Sequence, residues 1–407
     1  MTQPDDLDLV VGNGTVLTMD PEGTVFEAGF VGIRNGKIIA VGPGKDNDRP
    51  SKRVLDARGG LILPGLVNGH THAAMALFRG LADDLPLMRW LNDYIFPVER
   101  RLDADFVFAG TSLACAEMIR SGTTTFCDMY LFEEFVARAA RRAGMRCLVG
   151  EVLYDFPSPN YGSPEQGLAY TDELIGRWGG DRLVSVMVEP HAPYTCSPDL
   201  LTAANELALR RGVMLGLHLC ESRTEIEEIQ KRYGKSPVAH LDALGLLGSH
   251  LKVDHAVHVD AEEIRVLADR GVKAVHNPES NMKLAAGIAP VPELIAAGVT
   301  VGLGTDGCAS NNNLDLLAEM DTAAKLHKVA RRDPTEMKAD TVLRMATIEG
   351  ARALGLDDRI GSLEAGKCAD LIVLDTHKPH LTPLYNPISQ IVYSAAGGDV
   401  RLSLIHI

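Results

Sequence analysis

The chain has 407 residues, of which 46% are apolar and 23% charged, and its formal net charge is −14. That length suits a barrel with an accessory domain, and the apolar share is enough for a large buried core, so disorder is excluded for most of the chain. The acidic balance argues against nucleic-acid and anionic-membrane partners, both of which need basic surface to displace counterions.

The start, Met1-Thr-Gln-Pro-Asp-Asp6, lacks the positive charge and apolar stretch of a signal peptide. No apolar run is long enough to span a bilayer. Seven cysteines without a Cys-x-x-Cys pair fit reduced thiols, and the expected location is cytoplasmic. Cys115, Cys127 and Cys147 have apolar neighbours and read as small core residues.

Residues 1–60 read as strands, with Asn13-Gly14 and Asn35-Gly36 each marking a two-residue hairpin turn. From Leu61 onward, short apolar strands alternate with helical stretches, the rhythm of βα units around a parallel sheet. Strands are expected at 61–63 with Val67, then at 123–127, 147–152, 183–188, 213–217, 251–253, 272–275 and 299–303. Helices are expected at 109–120, 198–211 and 261–270, with a last one over 341–354. Residues 361–375 return to strand character. The expected fold class is therefore α/β: a (β/α)8 TIM-type barrel over 61–358, with a small β domain built from 1–60 and 359–407. The tail Leu402-Ser-Leu-Ile-His-Ile407 matches one translated frame of a common transposon-end sequencing adapter. The small domain is accordingly expected to be cut short, and His406 is not expected to be a ligand.

Parallel barrels place chemistry at the C-terminal ends of their strands. Strand one ends in His70-Thr-His72, strand five in His218, strand six in His255 and strand eight in Asp306. The period-two spacing of His70 and His72 puts both imidazoles on one side of an extended segment. A single strand-end histidine is more often hydrogen-bonded structure than a ligand. Four strand ends converging in an apolar barrel point instead to a shared cation, because buried imidazoles and carboxylates without partners are costly.

Pro64-Gly-Leu-Val-Asn-Gly-His70-Thr-His72, His218-Leu-Cys-Glu221, His255-Ala-Val-His258, His276-Asn-Pro-Glu-Ser-Asn281 and Gly304-Thr-Asp306-Gly carry a resemblance. From the N-terminal strands to about Gly397 the chain resembles the amidohydrolase superfamily, and most of all its 5′-methylthioadenosine/S-adenosylhomocysteine deaminase branch. The resemblance implies that His70, His72, His218 and Asp306 hold one divalent ion. Zinc is expected from the ligand types, with iron(II) and manganese(II) as alternatives. Strand four ends Val188-Glu-Pro-His191, with no lysine to bridge two metals, so a mononuclear site is expected. Asp306 would accept the proton of an attacking water, His255 would hold that water and the developing oxygen, and Glu221 would protonate the neighbouring ring nitrogen. Against that role, Glu221 has the plainer reading of an acid favoured by the dipole of a helix over 222–232. The Pro-Cys-x-x-Cys half of cytidine-type zinc deaminases is missing, which excludes that fold.

For the substrate, the resemblance assigns Glu99 to the ribose hydroxyls, His191 to the sugar or 5′ group and Trp90 to the purine face. The plainer readings are a surface charge, a structural histidine and a core tryptophan. Acid-bearing members of the branch are expected to carry arginines in the loop after strand three, but residues 151–167 contain none. Tyr154, Phe156 and Tyr161 offer an apolar pocket there instead. Methylthioadenosine, S-adenosylhomocysteine, adenosine and 5′-deoxyadenosine all stay open as the small-molecule nucleoside substrate. The alternatives are deamination or dechlorination of a free purine, pterin or triazine on the same fold, and a non-catalytic scaffold. The family resemblance also leaves room for a homo-oligomer assembled through barrel helices.

Overall fold

The computed structural model describes residues 7–44 and 51–405, so His406 lies outside the described residues. The first strands are β1 (Leu9–Leu17), β2 (Val25–Arg34), β3 (Lys37–Pro43), β4 (Val54–Asp56) and β5 (Leu61–Pro64). Asn35-Gly36 joins β2 to β3 as expected, with φ of 52° and 71° and Arg34 paired to Lys37. Asn13-Gly14 does not turn the chain. It lies inside β1 as a bulge between Gly12 and Gly14, where a Cβ on Gly14 would come 2.5 Å from the Gly60 carbonyl oxygen. The same positive φ serves a bulge or a turn, so the dipeptide alone does not separate them.

The barrel runs through β6 (Leu66–Thr71), β7 (Thr123–Tyr130), β8 (Arg146–Leu153), β9 (Val184–Val186) and β10 (Glu189–Pro190). It continues with β11 (Leu215–Leu219), β12 (Leu251–His255), β13 (Lys273–His276) and β14 (Val301–Leu303). Neighbours pair in parallel in two arcs, one from β6 to β10 and one from β11 to β14. The arcs meet at a Val188–Leu215 bridge and at the His218 N–H, which donates to the His191 carbonyl at 2.9 Å. On the other seam the Asp306 N–H donates to the His70 carbonyl at 3.0 Å. Both seams therefore run through residues singled out for chemistry.

Residues 61–63 are not in the barrel. They form β5, parallel to β1, and the first barrel strand begins at Leu66. An unbroken apolar run gives no periodicity that divides two sheets. The division is made at Gly65, where a Cβ would lie 2.1 Å from Thr124 Oγ1. The fourth strand is split into β9 and β10. The expected helix over 341–354 is also two, Ala339–Met345 and Ile348–Ala353. At the break, the Ala346 carbonyl accepts from the Val67 N–H of β6 at 2.9 Å rather than continuing a helix.

Helices between strands start where their caps dictate. Ser197 caps Pro198–Arg211, with proline at the first position, and Asp260 with Glu263 forms a capping box for Ala261–Asp269. At the far end, β15 (Leu371–Leu374) pairs antiparallel with β5 and with β16 (Val400–Leu404). Residues 402–404 of the expected read-through stretch thus sit in an edge strand. One sheet results, in the order β16-β15-β5-β1-β2-β3 with β4 beside β1, so strands from both ends of the chain share it.

Sheet and barrel are locked by a buried ion pair. Arg146 of β8 and Asp370, just before β15, are each 2% exposed, with Nε–Oδ2 at 2.8 Å and Nη2–Oδ1 at 3.3 Å. Removing one partner strands the other charge without water, which costs about 3–5 kcal/mol. Asp370→Ala should lower unfolding stability by that amount in denaturant titration; a loss within the range of a surface ion pair would show that the pair does not lock the two units.

Candidate active site

Four imidazoles and one carboxylate converge at the C-terminal mouth of the barrel. His70 lies in β6, His72 just after it, His218 in β11 and His255 ends β12; Asp306 follows β14. Ring centroids of His70 lie 4.8 Å from His72, 4.9 Å from His218 and 5.7 Å from His255. Asp306 Oδ1 is 3.2 Å from His72 Nε2 and 3.5 Å from His70 Nε2. His255 and Asp306 are held at φ of 72° and 62°, a left-handed backbone that L-residues adopt at a cost and that recurs at functional sites.

Three of the rings are hydrogen-bonded through Nδ1, and the fourth, His70, has its Nδ1 beside a carboxylate. His218 Nδ1 faces the His191 carbonyl at 2.9 Å and His255 Nδ1 the Asn281 side-chain oxygen at 2.8 Å. His72 Nδ1 meets the Met129 carbonyl, and His70 Nδ1 lies 3.2 Å from Asp254 Oδ2. With Nδ1 occupied, Nε2 is the nitrogen left to face a cation. Both ring nitrogens of His70 are fully buried and make no hydrogen bond among the described residues, Nδ1 lying only at ion-pair distance from Asp254. Ligand atoms of His70, His72 and His218, and of His70, His255 and Asp306, gather within 4.8 Å of one another in each group. Three neutral imidazoles and a carboxylate fit a divalent metal, which would satisfy the orphaned nitrogen.

A match to the model of the amidohydrolase family spans residues 61–405. The chain belongs to that family. It is 63% identical over 401 residues to a 5-methylthioadenosine/S-adenosylhomocysteine deaminase of Syntrophobacter fumaroxidans, covering 98% of this chain and 92% of the relative. It is 46% identical over 401 residues to a 5′-deoxyadenosine deaminase of Methanothermobacter thermautotrophicus, covering 95% and 91%. A crystal structure of an adenosine deaminase from Xanthomonas campestris with bound zinc superposes with a TM-score of 0.97 at 42% identity, covering 99% of this chain and 93% of that one.

The amidohydrolase barrel carries a buried polar layer beneath the histidines that sequence reading missed. Lys252 Nζ lies 3.0 Å from Asp254 Oδ2 and 3.6 Å from Glu189 Oε1, and all three side chains are fully buried. Burial works against the Lys252 charge, yet Asp254 and Glu189 hold its pKa above the ordinary lysine value. A signal was present: Leu251-Lys-Val-Asp-His255 places two charges inside a strand that is buried along its whole length. Ser280 and Ser310 hydroxyls donate to Asp306 Oδ2 at 2.6 and 2.9 Å, and the Gly307 N–H donates to Oδ1 at 2.8 Å.

Glu221 lines the pocket above the histidines. The helix that follows is Arg223–Tyr233, capped by Ser222, and the acid in its first turn is Glu225. Buried Glu225 accepts the N–H groups of Cys220 and Glu221, both at 2.9 Å. The helix-end role weighed for Glu221 is thus filled by Glu225.

Trp90, Glu99, His191, Tyr154 and Phe156 line one pocket together with His72, His218, His255 and Asp306. Trp90 and Glu99 come from the segment after strand one, where helical turns at Leu87–Trp90 and Phe96–Glu99 flank a π-helical turn at Leu91–Ile95. Trp90 is 6% exposed. Burial lifts the Glu99 carboxyl to about 6, opposed by the Tyr130 hydroxyl and then by His72. Burial, followed by the neighbouring imidazoles, pushes His191 down to about 3, and its Nδ1 meets Thr195 Oγ1 at 2.8 Å.

Asp254→Asn should weaken divalent metal binding by about 10–100-fold, the usual effect of altering a group that orients a ligand histidine. Competition with a chromogenic chelator measures this; unchanged affinity in a folded variant would show that Asp254 does not orient His70.

Proposed function

We propose that this chain hydrolytically deaminates adenosine-type nucleosides, releasing the 6-amino group as ammonia and leaving the inosine analogue, with zinc as its ion. The observation that carries this reading is one pocket in which Glu221, His255 and Asp306 face Glu99 and His191. The names of the nucleoside deaminases it resembles support it. Zinc is supported by the donor set and by the zinc-bearing relative.

His70, His72, His218 and Asp306 would hold the ion, which supplies Lewis acidity that makes water nucleophilic near neutral pH. Asp306 takes one proton from the water attacking C6 of the purine. His255, kept protonated on both nitrogens in the resting site by the Glu221 and Asp306 carboxylates, holds Nδ1–H on Asn281 and donates Nε2–H to the attacking oxygen as charge grows on it. Glu221, entering protonated, gives its proton to N1. The tetrahedral carbon then carries a hydroxyl and an amino group. Asp306 returns its proton to the amine, ammonia leaves, and the hydroxyl proton passes to Glu221 as the carbonyl forms. Glu99 accepts the two ribose hydroxyls, His191 holds the sugar side, and Trp90 offers apolar area to the base. A free base or triazine would leave Glu99 with Tyr130 and no ribose hydroxyls in a partly apolar pocket, a cost that favours the ribosyl substrate.

Zinc-loaded protein should convert adenosine or methylthioadenosine to the inosine form, followed by ultraviolet change and ammonia release. Glu221→Gln should lower kcat by about 10²–10⁴-fold with zinc content unchanged. Turnover of guanine or a triazine by a protein silent on every nucleoside would overturn the assignment.

The carboxylate form of Glu99 is the one that accepts two hydroxyls, and it is lost as pH falls through about 6. KM for a nucleoside should therefore rise as pH drops from 7 to 5, and Glu99→Gln should flatten that step. A KM independent of pH over this range in the parent enzyme would remove Glu99 from the ribose site.

A further inference from the structure

Asp306 is saturated with hydrogen-bond donors. Its Oδ1 lies 3.5 and 3.2 Å from Nε2 of His70 and His72, where the ion would sit, and accepts the Gly307 N–H at 2.8 Å. Its Oδ2 accepts the Ser280 hydroxyl at 2.6 Å and the Ser310 hydroxyl at 2.9 Å. An ionised carboxylate has about four lone-pair sites. The ion, one N–H and two hydroxyls fill them. Asp306 is the base of the reading above, yet it has no free lone pair to turn toward the attacking water.

The two hydroxyls are not equivalent. Both serines are buried, but only Ser310 is among the residues that line the active-site pocket. The Ser280 hydroxyl makes no other hydrogen bond among the described residues. Ser310 Oγ also lies 3.1 Å from the Gly307 carbonyl oxygen, three residues back, the kind of second acceptor that serines share. No described residue donates to Ser310 Oγ, so its lone pairs are open to a donor from the pocket. Resting on Asp306 as the base of the proposed deamination, we propose that Ser310 relays the proton between the attacking water and Asp306. The water O–H breaks as its proton goes to Ser310 Oγ, and the Ser310 O–H breaks as its proton goes to Asp306 Oδ2. The proton now on Oγ turns to the Gly307 carbonyl, and Oγ accepts the new carboxyl O–H across the same 2.9 Å. The return follows the same path: Oγ gives its proton to the amine and regains one from Oδ2. Ser310 ends each cycle as it began, and Ser280 holds the carboxylate throughout.

The test uses the zinc-loaded full chain with adenosine or methylthioadenosine, in the parent, Ser310→Ala, Ser310→Thr and Ser280→Ala. Ser310→Ala should lower kcat by about 10²-fold, the size of a positioned proton-transfer group, with KM near the parent value. Ser310→Thr keeps the hydroxyl and should recover most of the loss. Ser280→Ala should cost less than Ser310→Ala, although it removes the shorter bond. Chelator competition should find zinc affinity unchanged in Ser310→Ala, since the hydroxyl meets Oδ2 and the imidazoles face Oδ1. In mixtures of light and heavy water, kcat of the parent should fall along a curve, the mark of two protons in flight, and kcat of Ser310→Ala along a straight line. A straight line in the parent, an equal or larger loss in Ser280→Ala, or a zinc affinity that falls together with kcat overturns the relay. Silence on every nucleoside with turnover of guanine or a triazine overturns the nucleoside reading alone, because the same comparisons are then made on that substrate; silence on all of them overturns both.

Discussion

Everything at the barrel mouth depends on holding imidazoles so that one nitrogen of each is taken by the protein and the other faces inward. Backbone carbonyls of Met129 and His191, the Asn281 amide oxygen and the Asp254 carboxylate do this for His72, His218, His255 and His70 in turn. The arrangement is costly without a cation, because a buried nitrogen such as His70 Nε2 then has no partner. The protein therefore carries in its own folding the demand for a metal, and the ion's binding energy offsets that cost.

The same constraint reaches down into the barrel. Asp254 lies 3.2 Å from His70 and 3.0 Å from Lys252, and Lys252 in turn lies between Asp254 and Glu189. A buried lysine and a buried carboxylate are tolerable only as a paired set, and burial pushes the third group, Glu189, up to about 8. The layer links β6, β10 and β12, so barrel closure and ligand orientation are one problem. The seams make the same point: the two arcs meet at His191 and His218, and again at His70 and Asp306.

The rest of the pocket wall is built from a different part of the chain. Strand ends carry the histidines and Asp306, while the segment carrying Trp90 and Glu99 and the loop carrying Tyr154 and Phe156 line the pocket beside them. Loops on a rigid barrel can change without disturbing the strand-end ligands. The terminal sheet stands apart from both tasks and is fastened to the barrel by Arg146 and Asp370.

The order of barrel strands, the strand-end histidines and Asp306 were legible in the sequence because each rests on a local pattern: an apolar run, a turn, and a polar residue breaking the run. Caps such as Ser197 and the Asp260–Glu263 box were legible for the same reason. Tertiary structure alone decided the assignment of residues 61–63 to the terminal sheet, the bulge at Asn13-Gly14 and the break at Ala346, since each turns on a contact with a segment distant in sequence. It also decided that Glu225 rather than Glu221 serves the helix start. Local propensity is written in neighbouring residues; which side chain meets which across the barrel mouth is settled only when the strands close.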